Sequence, residues 1–153
     1  MRICSLLPGA TEILFALGLG DQIVGVTHEC DYPAEAKQKP IVVRSAIDSH
    51  RLSGHEIDRK VSEILEAGKG LYLIDQEALR ASAPDLIVAQ GLCDVCALDY
   101  NEVVKAAAAL AHTPVIVSLN PHSLADVMHA SLSFGSGKNF LKFSNSNEKT
   151  IGF

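Results

Sequence analysis

Residues 2–33, RICSLLPGATEILFALGLGDQIVGVTHECDYP, constrain the fold more than any other stretch of the chain. Residues 3–7 form an apolar run too short for a buried helix, and Pro8-Gly9 stops it. Thr11 is placed to cap the helix that follows, and Glu12 suits the positive end of that helix. Ile13, Leu14, Phe15 and Leu17 give it a broad apolar face. Gly18 or Gly20 supplies the left-handed residue that ends it. Residues 23–27 then read as a second strand. Strand, helix and strand in close succession form a βαβ unit, a parallel pair joined by a right-handed crossover.

The same alternation continues downstream. Residues 41–43 are a short strand. Ser53 and Glu56 have the spacing of a capping box ahead of a helix that carries Ile57, Val61, Ile64 and Leu65 on one face. Residues 71–74 fit an edge strand or an extended connector equally well. Asp75 caps a short helix that must stop before Pro84. Residues 85–89 are the clearest buried parallel strand. Asp99 caps a helix through Val103 and Val104, Pro114 opens a strand at 115–118, and Ser123 caps a last helix to about Leu132. The expected fold class is α/β: a mainly parallel sheet with helices on both faces. Residues 1–132 are expected to form one lobe. From Ser133 the chain turns to Ser, Asn, Gly and Lys without an apolar period, and 133–153 are expected to be a disordered or out-of-pattern tail.

Composition narrows the function classes. A hydrophobic fraction of 48% suits a sheet covered on both faces. A formal net charge of -5 argues against a nucleic-acid surface. No signal peptide is visible and residues 106–125, though free of Asp, Glu, Lys and Arg, contain prolines and histidines that rule out a membrane span. The chain as written is therefore expected to be cytoplasmic, or to lack its export signal. Four cysteines in such a chain favour thiols or metal ligands over a disulfide framework.

In an open parallel sheet, ligands bind beyond the carboxyl ends of the strands. That rule selects the loops at Pro8–Thr11, at His28–Pro33, from Arg44 onward, and at Gln90–Leu98. Cys30, Cys93 and Cys96 lie in two of these loops, as does His28. Cys93-Asp-Val-Cys96 lacks the second cysteine pair that would make a zinc motif specific. With Cys30 and His28 it makes a candidate soft metal site, or a redox dithiol, or two unrelated loop thiols. Cys4 lies mid-strand and is expected to be buried and inert. The remaining histidines, His50, His55, His112, His122 and His129, are scattered and expected to be solvated.

The run SLLPGATEILFALGLGDQIVGVTHECDYP followed by APDLIVAQ resembles the N-terminal lobe of the substrate-binding proteins that feed cobalamin, ferric siderophores and haem to ABC importers. Residues H-E-C-D-Y-P together with a C-x-x-C after P-D-L-I resemble its cobalamin-binding branch. The resemblance covers about residues 2–129 and implies one lobe of a two-lobed protein, with the ligand held between lobes and no catalysis. The chain then looks like a fragment or a product shifted out of frame. The resemblance places ligand contacts at Pro8, His28, Glu29, Ser45 and Gln90. None of the positions matching the aromatic contacts of cobalamin binders, Glu29, Ser45 and Gln90, is aromatic, so an iron chelate or another metal-bearing ligand stands beside cobalamin. It places a transporter-docking acid at Glu77, which also suits the first turn of a helix. The implied partners are a small-molecule ligand and an ABC-importer permease, and a lone lobe is expected to self-associate. The alternative is a cytosolic metal-thiolate protein or thiol oxidoreductase using Cys93 and Cys96.

Overall fold

A computed structural model describes residues 1–48, 52–90, 98–119 and 123, and the backbone of 149–151. In chain order the elements are β1 (Ile3–Ser5), α1 (Pro8–Ala16), β2 (Ile23–Thr27), β3 (Ile41–Ser45), α2 (Gly54–Glu66), β4 (Tyr72–Ile74), α3 (Gln76–Ser82), β5 (Leu86–Ala89), α4 (Tyr100–Ala108), β6 (Val115–Leu119) and β7 (Lys149–Ile151). They form one seven-stranded sheet in the order β4-β3-β2-β1-β5-β6-β7. Every described pairing is parallel except β3 with β4.

Alternation along the central strands sends side chains to two cores. On one face, α1 lays Ala10 and Leu14 over Ile3, Ile23, Val26, Leu86, Val88 and Val117. On the other, Leu79 of α3 and Val103, Ala106 and Ala107 of α4 cover Cys4, Val42, Ile87, Ala89 and Ile116. The parallel sheet covered on both faces is the expected architecture, and the continuous apolar runs of β1 and β5 are its signature in the sequence.

Local outcomes differ at four places. The helix expected to be capped by Thr11 starts earlier, with Leu7 as N-cap and Pro8 in its first turn. Proline carries a helical φ and lacks the N–H that the first turn would leave unbonded, so it starts the helix without a side-chain cap. Glu12 consequently lies beyond the first turn. β1 is shorter than the apolar run: Leu6 N–H still donates to Val88 O at 2.8 Å, but Leu7 turns into the helix. β3 is longer than expected, because β4 pairs beside it, Arg44 opposite Leu73 and Ser45 opposite Tyr72. Finally, β7 adds a strand beside β6 within the segment read as tail; the rest of 133–153 lies outside the described residues, as does the expected helix at 124–132.

Other expectations hold in detail. Gly18, at φ 74, is the left-handed residue after α1. Ser53 and Glu56 form a complete capping box on α2. Asp75 and Asp99 cap α3 and α4 through the backbone N–H groups of Ala78 and Asn101. Among the described residues no helix is long and apolar enough to cross a membrane.

Candidate binding cleft at the carboxyl edge

β1, β2, β3 and β5 run parallel, so the loops after them leave from one edge of the sheet. Leu6, Leu7 and Pro8 follow β1, Thr27 and Glu29 come from the end of β2, Val43 from β3, and Ala89 and Gln90 from β5. Together with Tyr72 and Leu98 they line one concavity of about 70 Å³. Three of the five residues picked out as ligand contacts, Pro8, Glu29 and Gln90, are thus brought together from three separate loops. A site that buries a ligand of drug size needs about 300–1,000 Å³. This concavity is well below that range and encloses no more than a few waters.

His28 is not among the residues that line the concavity; it adjoins Glu29 and Tyr72, which are. Its backbone N–H donates to Val43 O at 3.0 Å, and its Nδ1 lies 3.3 Å from the same oxygen. Its ring is tilted against Tyr72, 6.1 Å between centroids. Glu29 is tied to both: Oε1 accepts from the Tyr72 hydroxyl at 3.4 Å and lies 3.9 Å from His28 Nε2. Ser45 pairs with Tyr72 across the β3–β4 ladder, but its Oγ accepts from the Ile47 N–H at 3.1 Å and it does not line the concavity.

Tyr72 is the contact that sequence reading passes over. It is the first residue of an antiparallel edge strand, so it starts at the edge where its parallel neighbours end. Only that reversal delivers an aromatic ring to the cleft. The signal available in the sequence is the Gly68–Gly70 break followed by Leu-Tyr-Leu-Ile, which fits a strand reached by a chain that has just come back over the sheet.

The cysteines separate. Cys30 follows β2 as expected, yet its side chain is 4% exposed and packs in the core beneath α1. Its Sγ lies 3.2 Å from Thr11 Oγ1 and 3.3 Å from Thr27 Oγ1. Thr11 Oγ1 is also 2.8 Å from Ser5 Oγ and 3.1 Å from the Leu7 carbonyl. These four small polar side chains make a bonded node directly under the Pro8 turn. Cys4 is fully buried on the opposite face, 3.4 Å from Ser82 Oγ, and burial pushes its thiol up to about 11 against smaller opposing effects of Ser82 and Arg2. A protonated, enclosed thiol is the inert state expected of it. Cys93 and Cys96, and with them the expectation of a site shared with Cys30 and His28, lie outside the described residues. Among the described residues no group of three or more His, Cys, Asp or Glu is arranged to hold a metal ion.

Glu77 is exposed in the first turn of α3, where a negative charge meets the positive helix end. His55 and His112 are exposed, as expected; His50, His122 and His129 lie outside the described residues.

No protein-family model matches the chain. Over 82 residues, 54% of the chain, it is 57% identical to an uncharacterized ABC transporter substrate-binding lipoprotein of Bacillus subtilis, a match that covers 22% of that protein. Over 37 residues it is 51% identical to a vitamin B12-binding protein of Vibrio vulnificus, covering 24% of the chain and 14% of that protein. Among solved structures, the periplasmic vitamin B12 binding protein BtuF of Vibrio cholerae matches with a TM-score of 0.56 and 24% identity, covering 93% of this chain and 46% of that one. The periplasmic haem-binding protein RhuT from Roseiflexus matches with a TM-score of 0.56 and 22% identity, covering 90% and 40%. The fold is therefore that of periplasmic binding proteins of this kind, and the chain spans less than half of each of these proteins.

Proposed function

We propose that this chain is the first lobe of the solute-binding component of an ABC importer, and that it takes a cobalamin, an iron chelate or another metal-bearing ligand at the carboxyl edge of its sheet. The observation that carries the reading is the convergence of Pro8, Glu29, Gln90 and Tyr72 on one shallow concavity at that edge. The small volume fits a half-site that a second lobe completes. The named relatives are an ABC transporter substrate-binding lipoprotein and a vitamin B12-binding protein, which favours binding over catalysis and over a thiol oxidoreductase built on Cys93 and Cys96. On this reading Gln90 and Glu29 orient polar groups of the ligand, while Leu6, Leu7, Leu98 and the Tyr72 ring meet its apolar faces. Ser45 shapes the edge by holding the turn at Ile47. Glu77 is the docking acid for a permease, and the working protein acts outside the cytoplasmic membrane. A lone lobe leaves its cleft surface uncovered and is expected to self-associate.

Calorimetric titration with cyanocobalamin tests this. The chain is expected to bind at least about tenfold more weakly than the full-length vitamin B12-binding protein of Vibrio vulnificus. Tyr72→Ala is expected to cost a further ~1 kcal/mol, the worth of an aromatic contact beyond its area. Undiminished binding in Tyr72→Ala and in Gln90→Ala would remove the cleft from the account.

A further inference from the structure

The β1–β2 ladder has its last partners at Cys4 and Gly25. Beyond them each chain is held from its far side. Leu6 N–H donates to Val88 O of β5, and His28 N–H donates to Val43 O of β3. Leu7 and Glu29, which follow, line the concavity from the β1 side and the β2 side. The gap between them is spanned by four buried polar side chains: Ser5 and Thr11 are fully buried, Cys30 is 4% exposed and Thr27 6%.

These side chains form one line. Glu29 N–H donates to Thr27 Oγ1 at 3.2 Å. Thr27 Oγ1 lies 3.3 Å from Cys30 Sγ, which lies 3.2 Å from Thr11 Oγ1. Thr11 Oγ1 donates to Ser5 Oγ at 2.8 Å, and Ser5 Oγ donates to Leu7 O at 3.3 Å. Each hydroxyl and the thiol has one proton to give, an N–H only donates, and a carbonyl only accepts. One order fills every contact along the line: Glu29 to Thr27 to Cys30 to Thr11 to Ser5 to Leu7. In it each of the four side chains accepts once and donates once. Bonds aligned head to tail in a low-dielectric interior polarise and strengthen one another.

We propose that Thr11 and Cys30 are positioning residues of the cleft: the line they complete fixes the separation of its β1 and β2 walls. Position 30 must then carry a group that both donates and accepts. The consequence for ligand binding rests on the reading of this edge as the binding site; the coupling of the two walls does not.

Backbone amide NMR of the ligand-free chain reads the coupling, and calorimetry with cyanocobalamin reads its consequence. Thr11→Val and Cys30→Ala each interrupt the line. In both, the Glu29 amide proton is expected to move upfield as its hydrogen bond weakens, although in Thr11→Val the altered side chain lies beyond Cys30. Thr11→Ser and Cys30→Ser keep a group that donates and accepts, and are expected to return the signal toward its wild-type position. Cys4→Ala empties a fully buried site on the opposite face of the sheet and is expected to leave the Glu29 amide in place, whatever stability it loses. Cyanocobalamin is expected to bind Thr11→Val and Cys30→Ala at least about threefold more weakly than wild type, the worth of one net hydrogen bond, and to bind the two serine variants within about twofold of it. A Glu29 amide unmoved in Thr11→Val and Cys30→Ala, or moved as far in Cys4→Ala, would overturn the inference. So would serine variants that behave like the interrupted ones, or unchanged affinity beside a moved amide. Absence of cyanocobalamin binding to the wild type would overturn the cobalamin reading alone, and the amide signals would still decide whether the line couples the walls.

Discussion

Gly25 is a glycine because two other side chains occupy its place. A Cβ there would lie 2.7 Å from Cys4 Sγ and 2.8 Å from Val42 Cγ1, both fully buried. β1, β2 and β3 meet at this point. Gly25→Ala is expected to cost about 1–3 kcal/mol by overpacking. Urea unfolding checks it: the midpoint should fall with an unchanged slope. Combining it with Cys4→Ala should recover part of the loss, because the two sites share one contact. An unchanged midpoint in Gly25→Ala would contradict the packing described. At the same scale Thr11 shows why residue identity alone misplaces a helix start. Threonine serves as an N-cap, and it serves as well inside a first turn, bonded to the carbonyl four residues back. Pro8 decides between them, since a proline in the first helical turn needs no cap above it.

α2 carries its own N-terminal lock, and that lock is electrostatic. Ser53 N–H donates to Glu56 Oε2 at 2.8 Å, Ser53 Oγ donates to the same oxygen at 2.7 Å, and Glu56 N–H donates back to Ser53 Oγ at 3.4 Å. These bonds to the charged form hold the Glu56 carboxyl below its usual range. A carboxyl that is more acidic in the folded chain contributes stability above its unfolded pKa and loses it as pH falls through the folded value. Helix content in α2 is expected to drop across that acidic window, and the drop should be smaller in Glu56→Gln, whose amide keeps its acceptor without titrating. Circular dichroism against pH reads both; identical acid profiles would show that the cap does not titrate. At this scale most elements are legible in the sequence, because their ends carry chemistry: Ser53, Asp75 and Asp99 as caps, Gly18 and Gly68 as stops, both with positive φ. The exceptions are set by partners distant in sequence. β3 extends to Ser45 and residues 71–74 become a strand because each supplies the other's ladder. Nothing in either segment states that pairing, so Tyr72 could not be placed in the cleft from its neighbours alone.

For the whole molecule, strand direction does the positioning. Four parallel strands deliver Leu6 to Pro8, Thr27 to Glu29, Val43 and Gln90 to one edge, and the reversed β4 adds Tyr72. That edge was legible from the βαβ pattern, since a parallel sheet places its binding loops there whatever they contain. The orientation of Cys30 was not, because a residue two or three places past a strand can turn to either side. Here Thr11 and Thr27 draw it into the core beneath α1. The central claim is that this edge holds the ligand, and a backbone amide NMR titration with cyanocobalamin addresses it residue by residue. The account predicts shifts concentrated at Leu6, Thr27, Glu29, Tyr72 and Gln90, with the amides of Gly20–Gln22 and Ala83, at the opposite edge, unmoved. Shifts centred on that opposite edge, with Leu6, Glu29 and Gln90 silent, would contradict it.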